Sequence, residues 1–476
     1  MSAVVKPMKH QLVSLKHAEK TPLVLDTSDP GTGKTMVRIL AFAKRRAKGG
    51  GCMLVLAPKS LLESAWAEDI RKFAPHLKAS VAWANNREAA FEVEADVYIT
   101  NHDAVNWLVK QPKSFFSRFN EVVIDESTAF KHHSSNRSRA ISKILHQLAR
   151  TAFVYRSALT ATPTSNGLTD IWHQVHLLDG GKRLGPSFYG FRSAVCEPTQ
   201  VGRNVNAIRW DGKEGAEDAV FGLIKDITIR HEFEKCVDIP PNHVYTVSYT
   251  LPPSVQTSYE TLEDAQLLLL SPDKTKARLT GKPAKITAIN AAAVSTKLQQ
   301  MASGAVYTEG GKYTTIDYGR YQLIIDLVLA RKHSFVLFQW NHQRDQLVAA
   351  AEKAGLAYCV YDGETSDKDR AEMVRNYQRG MYRVMFAHPK TAGHGLTLTR
   401  GTTTIWASPT YDLEHWKQAG RRQYRIGQTQ KTETIVVLAK GTIDERIYNE
   451  ILAPKDGRMK SLLELFTGTT PARKGK

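Results

Sequence analysis

Lys34 and Thr35 close the stretch Ser28-Asp29-Pro30-Gly31-Thr32-Gly33-Lys34-Thr35. Residues of these types in this order suit a polyphosphate. Gly31 and Gly33, with Thr32 between them, let backbone amides approach phosphate oxygens; Lys34 reaches the β and γ phosphates, and the Thr35 hydroxyl is a ligand for Mg2+. The strict pattern has glycine where this chain has Ser28. A second stretch, "EVVIDEST", ends an apolar run in Asp125 and Glu126. Asp125 can hold the metal while Glu126 orients or deprotonates an attacking water. An ordinary solvated acid pair at a strand end is the plainer alternative, and the phosphate loop argues against it. Hydroxyls of Thr160 and Thr162 in "ALTATPTSNGLTDIW" stand at another strand end, where they can couple a nucleotide site to a bound strand or simply terminate the strand.

Such groups meet only if the elements carrying them converge. "PLVLDTS", "CMLVLAP", "ADVYITN", "EVVIDES" and "VYRSALTATP" read as buried parallel strands, with helices predicted over 34–48 and 61–73. A second alternating block over 321–438 contains "SFVLFQW", "LAYCVYDG", "YRVMFAHP", "TTTIWASP" and "TETIVVLAK". The fold class is therefore α/β, two parallel-sheet lobes in tandem with helical insertions. The expected division is a first lobe over 1–235 with a helical insertion near 180–230, a linker and helical insertion over 236–320, a second lobe over 321–453 and a basic tail over 454–476. Leu267 to Leu270 read as a buried helix face.

The 476 residues are too many for one ordinary core, and 42% hydrophobic content supports compact folding. No apolar run is long enough to cross a bilayer and no secretory leader is visible at the N-terminus, so a cytoplasmic protein without membrane association is expected. Cys52, Cys196, Cys236 and Cys359 lack metal-ligand spacing and are expected to be free thiols. The net charge of +18 favours a polyanionic partner, most simply nucleic acid.

The most informative segment lies far downstream: "KTAGHGLTLT" followed by "QAGRRQYRIGQ" and "GTIDERI". The ordered set resembles superfamily two helicases and, in its "RIGQ" ending, the Swi/Snf-type helicase-like ATPases. The resemblance spans roughly Lys6 to Leu465. Gln11 in "KPMKHQ" resembles the adenine-reading glutamine, "LAPKSLLESAW" motif Ia, "ITNHDA" motif Ib, "LTATP" motif III and "VLFQWN" motif IV; "IRHEFEKCVDIPPN" resembles the segment leaving the first lobe. The family commonly lacks the first glycine of the loop, as here. Ser127-Thr128 and Thr397 differ from the family's usual residues in motifs II and V.

The resemblance implies two RecA-like lobes with ATP and DNA between them. It implies roles for Arg422 and Arg425 as the arginines that meet the γ phosphate, and for Gly395 at the nucleotide. It implies nucleic-acid contacts from Lys59, Ser60, Thr100, Asn101, Gln339, Lys390 and Thr391, which hold backbone rather than read bases. Trp66 and Trp340 are core residues or base-stacking residues. The implied activity is ATP-dependent translocation on double-stranded or branched DNA, with RNA the less favoured partner. A strand-separating or branch-migrating helicase and a nucleotide-gated clamp without turnover are the alternatives. A monomer is expected, no protein partner is indicated, and so compact a motor suits a prokaryote or one of its viruses.

Overall fold

The computed structural model describes residues 6–151, 154–200, 208–270, 288–308, 310–393 and 396–458. The chain divides into two compact units: Met1–Asp238, to which the segment from Lys455 is assigned, and Ile239–Pro454.

The first unit is built on a parallel sheet of Leu23–Asp26 (β1), Cys52–Ala57 (β2), Ala79–Ala82 (β3), Val97–Asn101 (β4), Phe119–Asp125 (β5), Tyr155–Leu159 (β6) and Thr228–Ile229 (β9). Their order is β3-β4-β2-β5-β6-β1-β9. The strands are apolar almost throughout because both faces are covered. Leu54, Leu56, Val122 and Ile124 face one core with Ile141, Ile144 and Leu148, while Met53, Val55 and Val123 face another with Ile39, Phe42 and Trp66. The insertion is not wholly helical. Between the helices Phe188–Val195 and Ala216–Ile224 lies an antiparallel hairpin of Cys196–Gln200 (β7) and Ile208–Gly212 (β8).

The second unit has a six-stranded parallel sheet: Asn242–Tyr249 (β10), Ser334–Leu337 (β13), Tyr358–Tyr361 (β14), Val384–Ala387 (β15), Thr403–Trp406 (β16) and Thr432–Ala439 (β17), in the order β10-β17-β16-β13-β15-β14. A small antiparallel hairpin, Ala305–Tyr307 (β11) and Tyr313–Thr315 (β12), lies between β10 and β13 in the chain and is not part of the sheet. Both units are thus parallel-sheet lobes with helices, the expected class.

The structure corrects the division of the middle of the chain. Residues 239–320 do not form a separate piece: β10 pairs with β17 along its whole length, and Leu251, Val255, Tyr259 and Leu298 share a core with Ile443 and Ile447 of the same lobe. An edge strand covered on little more than one side alternates polar and apolar, so "NHVYTVSY" between proline pairs reads as linker. The predicted buried face at Leu267 to Leu270, the tail beyond Arg458 and Gly395 lie outside the described side chains or residues.

Candidate ATP-hydrolysis site

Sheet order brings the candidate groups of the first lobe to one edge. β6 lies between β1 and β5, with Leu159 in register with both Asp26 and Asp125. The phosphate loop after β1, the acids ending β5 and the Thr160–Thr162 turn after β6 therefore leave the sheet side by side, at the carboxyl ends where parallel sheets place ligands.

The loop runs from β1 into helix Lys9–Lys20's (α1) neighbour, helix Lys34–Arg46 (α2). Gly31 and Gly33 have φ of 85° and 86°, the left-handed region that glycine occupies without a Cβ clash. A Cβ on Gly33 would stand 2.3 Å from Gln11 Nε2. That amide donates to Thr32 O at 3.1 Å, while Gln11 Oε1 accepts from Met8 N–H at 2.9 Å and His10 Nε2 meets the same Thr32 carbonyl at 2.8 Å. Lys34 Nζ donates to Ser28 O and Asp29 O at 2.7 and 3.1 Å, inside the curl of the loop.

Ser28 needs no positive φ and supplies a tie. Its N–H donates to Asp26 Oδ1 at 3.1 Å and its Oγ accepts from His231 N–H at 3.0 Å. Next to it the Asp29 carboxylate accepts from Arg230 Nη2 at 3.0 Å and Phe233 N–H at 3.1 Å. The segment after β9 thus clamps the loop from behind.

Asp125 is buried. Its Oδ2 accepts from Trp66 Nε1 at 2.9 Å and its Oδ1 from Glu126 N–H at 3.0 Å. Desolvation raises its pKa; the Trp66 bond and the nearby Lys34 ammonium oppose that rise. Glu126 is the one non-glycine residue at positive φ among the described residues, at 48°. Such a conformation costs about 1–3 kcal/mol and concentrates at functional positions. His102 Nε2 meets Asp125 O at 2.8 Å; burial pushes its pKa down to about 4, so the ring is neutral at pH 7. A buried carboxylate and the Thr35 hydroxyl are hard oxygen donors of the kind Mg2+ selects, so these residues fit that ion.

Trp66 is therefore a core residue with a task. Lys59–Leu61 forms a tight turn and Leu62–Ala67 a single wide π-type turn before the helix Glu68–Phe73 begins. The predicted helix over 61–73 forms without interruption, but its first part is widened, and that wide turn carries Trp66 to Asp125.

Motif II is also joined to motif III. Ser127 Oγ donates to Gln174 Oε1 at 2.7 Å, and Gln174 Nε2 donates to Pro163 O at 2.7 Å. Thr160 Oγ1 accepts from Thr162 N–H at 3.1 Å, and Thr162 Oγ1 is buried without a partner among the described residues.

The nucleic-acid candidates separate. Lys59 and Lys390 are exposed, and Ser60 and Thr391 partly so. Asn101 Oδ1 accepts from Arg87 Nη2 at 3.0 Å. Thr100 is fully buried and its hydroxyl donates to Ala82 O at 2.8 Å, which corrects its expected role: it joins β4 to β3. Gln339 Nε2 donates to the Pro409 carbonyl and, at 3.3 Å, to Ser408 O.

In the second lobe the two arginines stitch motif VI to motif V. Arg422 is buried; Nε donates to Gln418 O at 2.8 Å and Nη2 to Gly393 O at 2.5 Å. Arg425 Nη1 donates to Leu396 O at 2.5 Å and is only partly buried. Gly393 has no room for a Cβ, which would meet Pro389 O at 2.9 Å and Gln418 Oε1 at 3.0 Å.

A glycine-built phosphate loop, a buried metal-type carboxylate and a strained neighbouring acid on one parallel-sheet edge define a nucleotide-hydrolysing enzyme of the helicase-like class. The chain belongs to the SNF2-related family of these nucleic-acid-dependent ATPases. Residues 12–303 match the SNF2-related domain and residues 319–427 the helicase conserved C-terminal domain. Putative protein p41 of Acyrthosiphon pisum secondary endosymbiont phage 1 is 28% identical over 87% of this chain and 89% of its own length. An uncharacterized ATP-dependent helicase of Mycoplasma pneumoniae is 25% identical over 91% of this chain, and the putative ATP-dependent helicase/translocase YwqA of Bacillus subtilis 25% over 88%. The chain spans 40% and 44% of those two bacterial relatives. The solved Sulfolobus solfataricus SWI2/SNF2 ATPase core in complex with dsDNA aligns with 98% of this chain and 94% of its own, at 21% identity and a TM-score of 0.43.

Proposed function

We propose that this chain is an ATP-driven motor that moves along double-stranded DNA. The observation that carries the reading is the convergence of Lys34, Asp125, Glu126 and the Thr160–Thr162 turn at one sheet edge, tied by Gln174 and Trp66 to motifs III and Ia. Gly31, Thr32, Gly33 and Lys34 hold the phosphates of ATP, Gln11 faces the adenine, and Thr35 and Asp125 would hold Mg2+, which neutralises phosphate charge when bound. Glu126 accepts the proton of the attacking water. Arg422 and Arg425 act on closure, when a planar cation against the γ phosphate lowers the barrier. To do so Arg422 must exchange at least one carbonyl partner for phosphate oxygen.

Loss of the γ phosphate is passed through Ser127, Gln174 and the motif III turn, and from Asp125 through Trp66 to the loop bearing Lys59 and Ser60. Lys390 and Thr391 grip backbone from the second lobe. Phosphate contacts dominate, so affinity falls steeply with salt and discriminates little between sequences.

The test is phosphate release with and without duplex DNA. Stimulation is expected for the wild-type chain and none for Lys34→Ala; DNA binding with no stimulated release would identify a clamp instead. Triplex displacement without fork unwinding is expected of a translocase, and efficient fork unwinding would favour strand separation.

A further inference from the structure

Resting on the DNA-motor reading, we propose that the first lobe's insertion carries a second nucleic-acid contact, in which unstacked bases of a single-stranded segment pack on the ladder of His133, Phe188, Tyr189, Arg192 and Trp210.

The ladder is continuous. The Arg192 guanidinium lies 3.8 Å from the Trp210 ring centroid and 5.3 Å from that of Tyr189. Phe188 packs edge-on against Tyr189 at 5.6 Å and stacks on His133 at 4.1 Å. Arg192 Nε has no acceptor among the described residues, and the guanidinium lies against the rings of Phe188, Tyr189 and Trp210. Tyr189 is 62% exposed although it is one of the largest apolar surfaces in the lobe. A flat ring beside a planar cation suits nucleobases, which stack on both with little regard to sequence.

Charge selects the same partner. Pairing of Glu197 with Asp211 and of Pro198 with Trp210 across the hairpin puts the two acids on one face and Trp210 on the other, with Gln200 and the 47% exposed Ile208. Asp211 is also paired with Arg209. The stretch from Ser127 to Thr169 holds Lys131, Arg137, Arg139, Lys143, Arg150 and Arg156 and no acid. Within that stretch Lys131 is paired with Asp170 and Arg137 with Asp103, and Arg156 donates to core carbonyls, so the carboxylate-free surface is the ring face of the hairpin.

Placement connects the ladder to the motor. His133 lies in the loop that follows Asp125 and Glu126 from the carboxyl end of β5, before the helix Asn136–Thr151. The rings therefore stand at the same end of the sheet as the phosphate loop. A strand lying on them would press on the chain leaving the hydrolytic acids.

The test uses the full-length chain, a blunt duplex and the same duplex with a single-stranded oligothymidine tail. The wild-type protein is expected to bind tailed DNA about tenfold more tightly than blunt DNA, the scale of one or two stacked bases. Tyr189→Ala should lose that increment while keeping its affinity for blunt duplex and its DNA-free ATP turnover. Tyr189→Phe, which keeps the ring, should retain it. Equal wild-type affinity for the two DNAs, or tight tailed-DNA binding by Tyr189→Ala, would overturn the proposal. Equal loss on both DNAs would also overturn it, because the contact would then be with duplex backbone. Stimulation of ATP turnover by blunt duplex stands apart: its presence keeps the motor reading even if the ladder fails, and binding of neither DNA removes both.

Discussion

The Trp66 indole N–H ends 2.9 Å from Asp125 Oδ2 in a fully buried position. Trp66→Phe keeps the ring and deletes only that donor. The expected outcome is a Mg2+ requirement for ATP turnover raised about tenfold, as for lost support behind a metal-binding carboxylate. A magnesium titration checks it; an unchanged half-saturation point would reduce Trp66 to packing. That Lys34, Thr35, Asp125 and Glu126 belong to one cluster was legible from residue type and spacing, because a phosphate, a metal and a water would each demand a particular group, and the sheet order does bring their strand ends together. Trp66 was not, since an indole in an apolar helix has the same sequence whether its N–H is satisfied by a carboxylate or by a carbonyl. Ser28 was legible only as a missing glycine. Its hydroxyl accepts from His231, more than 200 residues away, and no local pattern predicts so distant a partner.

Strands were read most securely where both faces are buried, as in "CMLVLA", whose side chains are enclosed from Met53 to Ala57. The edge strand β14 was read from "LAYCVYDG", but β3, β9 and β10 escaped, because half-covered strands carry no continuous apolar run. β10 is the clearest case. Its Tyr245 hydroxyl donates to Glu433 on β17 at 2.6 Å, and Arg331 donates to the same carboxylate at 2.5 Å. Burial would raise the Glu433 pKa, but hydrogen bonds from Arg331, Tyr245 and Thr403 outweigh it and hold the value at about 2. A depressed carboxylate stabilises the fold fully above its ordinary value near 4.5 and loses that contribution as pH falls toward 2. Glu433→Gln is therefore expected to cost about 2 kcal/mol at pH 7, allowing for solvent screening. Chemical denaturation at several pH values should show the gap to wild type closing below pH 4.

At the scale of the whole molecule, acid should weaken the two lobes unequally. Burial lowers His102, His173 and His342 to about 4, so all three are neutral when folded. Such groups contribute fully above the ordinary value of 6.5, and the contribution is lost as pH falls from 6.5 toward 4. Each then costs about 2 kcal/mol at pH 5. Two lie in the first lobe and one in the second, so hydrogen exchange between pH 7 and pH 5 should show the larger loss of protection in the first. Equal losses would refute the assignment. By itself, the sequence determined the class of chemistry, the presence of two parallel-sheet lobes and the order of the motifs, because phosphate binding and double-sided burial act through local residue type and period. Only the tertiary structure decided that β6 separates loop from acids, that 239–320 belongs to the second lobe, that Thr100 is structural and that Trp66 serves Asp125. Those outcomes rest on strand order and on contacts between residues far apart in the chain, which no local pattern encodes.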